Sequence, residues 1–208
     1  MISNLKQIID KEITALQNIP LTNDYEKAVE LITKQIHSKK GKLICSGMGK
    51  AGQIASNIAT TFSSTGTPAC FLHPSEAQHG DLGIICENDL MLLISNSGKT
   101  REITELVVLA RKLFPDIKFI VITGNSESPL AKHADACLKT GNPKEVCPLG
   151  LTPTTSITAM TVIGDLLVVE TMKKIGFTAA DYAKRHHSGY LGDMARQQIQ
   201  TKNNEYYI

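Results

Sequence analysis

The chain is predicted to be an α/β protein built on a doubly wound parallel sheet, and three observations predict it. Five short apolar runs, KLICSG, ACFLH, DLMLLIS, KFIVIT and ADACLKT, recur along residues 42–140. Stretches with helical spacing lie between them, most clearly KAGQIASNIATTF and REITELVVLARKLF. Two of the runs end in turns rich in Gly or Ser, which hand the chain to a helix. Apolar strands without polar alternation are covered on both faces, and strand–helix alternation keeps neighbouring strands parallel.

The elements follow in order. Ile2, Leu5, Ile9, Leu16 and Ile19 recur at steps compatible with a helix, Pro20 closes it, and Tyr25, Val29, Ile32 and Ile36 begin a second stripe. These N-terminal helices, residues 1–40, are expected to pack on the domain or, for the first of them, on a neighbouring subunit. Residues 41–192 form the domain proper, with the five strands and their crossover helices. A last long helix over 156–174 has Thr154 and Thr155 as candidate caps, and after a Gly a shorter helix spans 179–183. The polar stretch 193–208 is expected to fray as a C-terminal tail. No repeat or linker divides the chain, so one domain is the economical assignment.

Composition narrows the function. At 208 residues the chain can bury a full core, and an apolar content of 42% with a net charge of +2 describes a globular protein without a basic field for nucleic acid or membrane. Five Cys residues, an odd number with no C-x-x-C pair, mostly lie in apolar runs and read as reduced core thiols of a cytoplasmic protein. The N-terminus mixes charge with apolar residues and so lacks a signal-peptide core. No run reaches the roughly 18 apolar residues of a membrane span.

In doubly wound sheets ligands bind beyond the carboxyl ends of the strands, so the loops there carry the chemistry. Ser46-Gly47-Met48-Gly49-Lys50-Ala51-Gly52 satisfies G-x-G-x-x-G between a strand and a helix. A dinucleotide site also needs an acid at the end of the second strand to hold a ribose; that strand ends Phe71-Leu72-His73-Pro74, and the first acid, Glu76, lies beyond the proline. Ser95-Asn96-Ser97-Gly98-Lys99-Thr100 ends like a Walker A motif, but Leu93 stands where the leading glycine is required. What survives is a pair of loops suited to one phosphate and a polar tail, with hydroxyls, Asn96 and the free N–H groups of a first helical turn converging on it.

Titratable groups in loops complete the list: His79 of HGD, Glu102 just after the hydroxyl-rich loop, Glu145 of KEVCPLG, and His186-His187. Taken singly, each suits polar surface, and Glu102 suits a helix N-terminus without any catalytic duty. Together with a phosphate anchor they suffice to move a proton between adjacent carbons of a sugar phosphate, with Lys50 placed to steady the enediolate. That chemistry demands no metal and no cofactor, and no metal-ligand spacing stands out.

Four segments, GMGKAG, HPSEAQHGDLG, ISNSGKTREIT and KEVCPLGLTPTTSITAMTVIGDLL, in this order and spacing, resemble the sugar isomerase (SIS) domain of the arabinose 5-phosphate isomerases. The resemblance spans roughly residues 42–192. It implies a flavodoxin-like sheet and an aldose–ketose isomerase converting D-ribulose 5-phosphate to D-arabinose 5-phosphate for Kdo, the acid sugar of lipopolysaccharide or capsule. It implies Lys50, Glu102, Glu145 and His186 as catalytic residues. Ser46, Gly47, His79, Ser95, Asn96, Ser97 and Thr100 would then bind substrate.

The resemblance further implies a homotetramer with sites formed between subunits, so that His186 serves a neighbour's pocket. Longer relatives carry CBS domains after this point; control in the present chain is expected to act on the isomerase domain itself, with CMP-Kdo as a feedback ligand. Two departures stand out: Lys99 where the family reads SNSGE or SNSGD, and His186-His187-Ser188-Gly189 where it reads HPGG. Lys99 is either a phosphate-steering charge or an exposed lysine. Two alternatives differ in substrate or in chemistry: an isomerase of hexulose or heptose phosphates, and a SIS domain that only senses a sugar phosphate.

Overall fold

The computed structural model describes the backbone of residues 1–205 and side chains to residue 201. Five strands form one sheet: β1 (Leu43–Gly47), β2 (Ala69–Phe71), β3 (Leu90–Ile94), β4 (Lys118–Thr123) and β5 (Ala136–Lys139). They run parallel in the order β2-β1-β3-β4-β5. The expected doubly wound sheet is present, with the flavodoxin-like strand order.

The strands read as unbroken apolar runs because both faces are covered. Leu43, Cys45, Leu90, Leu92, Ile94, Ile120 and Ile122 enter one core, while Ile44, Met91, Leu93, Phe119 and Val121 enter the other. The alternation is the strand period of two, and each fully buried Leu or Ile stabilises by about 1.5–3 kcal/mol. The first core is closed by α2 (Asp24–Ile32), α3 (Lys50–Ser64) and α6 (Thr155–Lys174). The second lies under α4 (Pro74–Ala77) and α5 (Arg101–Leu113). At the opposite end of the sheet from the strand carboxyl termini, buried Asp89 accepts from the Lys42 amide at 2.8 Å and the Cys86 amide at 2.7 Å, and pairs with Lys42 Nζ at 2.6 Å. That network ties the entry of β1 to the entry of β3.

The two N-terminal helices behave differently. In α2, Ala28, Val29 and Ile32 are buried in the core, and the helix continues as a π-helical turn over Thr33–Ser38. In α1 (Ile2–Gln17) no residue is buried: the helix contacts α6 and leaves Ile2, Leu5, Ile8, Ile9 and Ile13 exposed.

Among the described residues α6 is the one helix that would pass as a membrane span by length and composition, and half of its most apolar window is buried inside the fold, as in a core helix. Its apolar surface is used on the sheet and α3. The polar stretch after Gly192 does not fray: it continues α8 (Gly189–Glu205), which packs on α7 (Ala179–Ala183), buries Ala195 and carries an Asp193–Arg196 ion pair one turn apart. Packing against α7, rather than any apolar run, holds it helical. Residues 206–208 of that predicted tail lie outside the described residues.

Candidate active site

Adjacent β1 and β3 send their crossovers to opposite sides, so their carboxyl ends open a crevice between the loops 47–50 and 95–100. The first loop is glycine-rich for steric reasons. A Cβ on Gly47 would stand 2.7 Å from the backbone of Ala51, and one on Gly52 would stand 2.6 Å from the Gly47 carbonyl oxygen. The strand and helix therefore approach closely, and Lys50 emerges exposed as the first residue of α3.

The second loop is organised by its own hydroxyls. Ser95 Oγ and Thr100 Oγ1 lie 2.8 Å apart, the Gly98 amide donates to Ser95 Oγ at 3.1 Å, and the Lys99 amide donates to Ser97 Oγ at 3.2 Å. Thr100 caps α5 by position alone, without a side-chain hydrogen bond to the helix. The first-turn amides of α5 thus receive no hydrogen bond from the cap side chain.

Around these loops lies a cleft of about 1300 Å³, lined by Lys50, Ser95, Asn96, Ser97, Lys99, Thr100, Lys144 and Glu145 together with residues 124–126, 147–151 and Met160. Three lysines against one carboxylate make it a site for an anion. Asn96 Oδ1 is shielded from solvent and has no partner among the described residues, although its backbone oxygen accepts from Gly124 and Thr123.

Glu145 stands at the start of α6. Its Oε2 accepts from the Thr154 amide at 2.7 Å, the Thr154 hydroxyl at 2.9 Å and the Ser156 amide at 3.2 Å. Neither expected cap residue, Thr154 nor Thr155, caps the helix with its own side chain; Glu145 does so from nine residues upstream. Partial burial opposes its ionisation, but the hydrogen bonds from Ser156 and Thr154 outweigh that and hold the carboxyl below its ordinary range. The carboxylate is thus ionised.

Of the residues singled out in the sequence, Lys50, Ser95, Asn96, Ser97, Thr100 and Glu145 line this cleft. The others do not. Ser46 is fully buried and donates its hydroxyl to the Leu72 carbonyl at 2.7 Å, joining β1 to the end of β2. Gly47 serves the close approach to α3. Glu102 lies two positions beyond Thr100, which turns it about 200° around the helix. His79 is exposed, and its amide closes the turn after α4 by donating to Glu76. His186 follows α7, stacked on Tyr182 with ring centroids 3.8 Å apart.

Sequence reasoning missed Asn125, Ser126, Asn142 and Cys147, all in the cleft wall. The loops after β4 and β5 were open to the same rule that singled out the other strand ends, and Asn142 adopts a left-handed backbone with φ 51°. Cys147 is the least ordinary of them. The Thr152 hydroxyl and then the Thr152, Leu151 and Leu149 amides point at its sulfur and bring the thiol down to about 6.

Fold and cleft together define a flavodoxin-like α/β protein with an anion site at its switch point. The chain belongs to the SIS domain family, whose pattern matches residues 35–170. It is 50% identical over 153 residues to the arabinose 5-phosphate isomerase KdsD of Shigella flexneri, a match covering 74% of this chain and 46% of that protein. The chain thus spans about half the length of the curated relatives it matches.

Among solved structures it resembles a Bacteroides fragilis putative phosphosugar isomerase involved in capsule formation, at 69% identity and a TM-score of 0.90 over 91% of this chain and 99% of that one. It also resembles an Escherichia coli CFT073 protein in complex with arabinose 5-phosphate, at 33% identity and a TM-score of 0.82 over 89% and 96% of the two chains.

Proposed function

We propose that the chain is an arabinose 5-phosphate isomerase, interconverting D-ribulose 5-phosphate and D-arabinose 5-phosphate for Kdo and surface polysaccharide synthesis. The carrying observation is the cleft in which a phosphate-sized loop, a lysine and an ionised carboxylate meet: residues 95–100, Lys50 and Glu145. The relatives named for this activity support the reading.

The chemistry follows from those groups. The loop amides and hydroxyls of Ser95, Ser97 and Thr100 hold the phosphate, with Lys99 adding charge beside it. Glu145 takes a proton from C1 of the ketose and returns it to C2, while a hydroxyl proton passes from O1 to O2. Lys50 stabilises the enediolate in between. Neither step calls on a metal or a cofactor.

Glu102 is proposed to assist Glu145, and His186 to complete the site from a neighbouring subunit of a homotetramer, opening the ring or relaying hydroxyl protons. The exposed apolar stripe of α1 supports burial between subunits. CMP-Kdo is proposed as a feedback ligand of the same cleft in this cytoplasmic enzyme, and inhibition kinetics at millimolar CMP-Kdo test that.

The deciding experiment is proton NMR of D-ribulose 5-phosphate in heavy water with the purified protein. Arabinose 5-phosphate signals with deuterium at C2 are expected. Tight binding without turnover would favour a sensor, and turnover only of hexulose or heptose phosphates would favour the related isomerases.

A further inference from the structure

We infer that Glu12, in the N-terminal helix, is a positioning residue for Glu145. The inference rests on the reading of Glu145 as the acid–base group.

The geometry runs from α1 to the cleft in two contacts. Glu12 Oε1 accepts from the Thr155 hydroxyl at 2.9 Å, across 143 positions of sequence. The same Thr155 oxygen accepts from the Val146 amide at 3.2 Å. The flanking residues, Thr154 and Ser156, donate to Glu145. Three consecutive residues at the start of α6 therefore grip the dipeptide Glu145-Val146, and Glu12 fixes the middle one.

Glu12 is not an ordinary surface acid. Its Oε2 is shielded from solvent without a partner among the described residues, although the surrounding helix is mostly exposed. A carboxylate oxygen left so costs stability unless something offsets it. A cavity of about 590 Å³, walled by Asp10, Lys11, Thr14 and Asn18 on one side and by Pro143, Lys144 and Glu145 on the other, shows that α1 and the catalytic loop are otherwise loosely joined. The Glu12–Thr155 hydrogen bond is a direct side-chain tie between α1 and the start of α6. Without it the first turn of α6 is free to shift, and with it the donors that keep Glu145 aimed and ionised.

The charged and titratable groups facing Glu145 are Lys144 and Cys147 on its own loop, Lys50 and Lys99 across the cleft, and Asp10 and Lys11 on α1. None of them changes in Glu12→Ala, which removes only the negative charge of Glu12 itself; Thr155→Val keeps that charge and isolates the effect of the donors. Loosened donors raise the Glu145 carboxyl from its depressed position, so the acid limb of the rate profile moves to higher pH.

Steady-state kinetics with D-ribulose 5-phosphate test this across pH in Glu12→Ala, Glu12→Gln, Thr155→Val and Glu145→Gln. In Glu12→Ala the expected result is a kcat about tenfold lower at unchanged KM, with the acid limb displaced upward. Glu12→Gln, whose amide oxygen still accepts from Thr155, restores most of the rate. Thr155→Val matches Glu12→Ala, and combining the two adds nothing. Wild-type kcat and acid limb in Glu12→Ala, alongside a dead Glu145→Gln, overturn the inference alone. A fall that Gln does not rescue and that leaves the acid limb in place also overturns it, in favour of a merely structural contact. Full turnover in Glu145→Gln overturns the reading of Glu145 and the inference with it.

Discussion

Glu145 accepts twice from Thr154: its carboxylate takes both the amide and the hydroxyl, at 2.7 and 2.9 Å, so one side chain caps α6 and lines an anion cleft. A helix cap and a catalytic base ask for the same thing, an ionised carboxylate held still.

Glu145→Gln is expected to lower turnover by about 10²–10⁴ while sugar phosphate binding persists. It is also expected to cost about 1 kcal/mol through the lost cap. The folded carboxyl sits below its ordinary range, so its stabilisation is full above the unfolded glutamate value and is lost as pH falls through the lower folded value. Thermal unfolding of wild type and variant should therefore differ at neutral pH and converge on acidification. Equal curves at neutral pH would count against the cap.

Lys50→Met removes the cation at the start of α3 without disturbing the core, because Lys50 is exposed. A fall of about 10²–10³ in kcat is expected, with native thermal stability. Stopped turnover assays with D-ribulose 5-phosphate measure it. Undiminished kcat would assign charge stabilisation to Lys99 or Lys144 instead.

Cys147 should react with iodoacetamide as a thiolate at neutral pH, its rate rising with pH through a midpoint of about 6. Thr152→Val removes the leading hydrogen bond and should move that midpoint up toward the ordinary thiol range of about 8.5. Because Cys147 lines the cleft, ribulose 5-phosphate should slow the labelling. Mass spectrometry of the labelled peptide reads both effects.

Gly98→Ala attacks the loop proposed to hold the phosphate. The residue has φ 62° and an added Cβ would stand 2.0 Å from Ser128 Oγ, so the loop must shift. A loss of at least about 1–2 kcal/mol is expected from the left-handed backbone alone. KM for the phosphosugar should rise more than kcat falls. An unchanged KM would remove the loop from phosphate binding.

Sharing of the site between subunits is open to complementation. Co-expressed Glu145→Gln and His186→Ala chains should form mixed oligomers with some intact clefts, and so recover activity that neither variant has alone. No recovery in verified mixed oligomers would place His186 in the cleft of its own subunit, beside that chain's Glu145.

Much of the fold was legible from the chain. The apolar runs at 43–47, 90–94 and 118–123 announce strands buried on both faces, since most of their side chains are apolar with no polar alternation, and the hydroxyl-rich loop at 95–100 lies directly beyond one of them. Glu145 and Lys50 are found in the same way, as polar residues in loops that follow strands. The tail after residue 192 escapes such reading because its helix is held by α7 rather than by an apolar periodicity.

The sequence by itself determined the order of elements, the glycine turn at Gly47 and the hydroxyl-rich loop at 95–100, because each depends on residues close in the chain. Only the tertiary structure decided that Glu145 caps α6, that Ser46 is tied up with Leu72, that Asn142 and Cys147 wall the cleft, and that Glu12 reaches Thr155. Those relationships are hydrogen bonds and approaches between distant segments. They exist only once the strand order has brought the loop ends together, and no local pattern of residues encodes them.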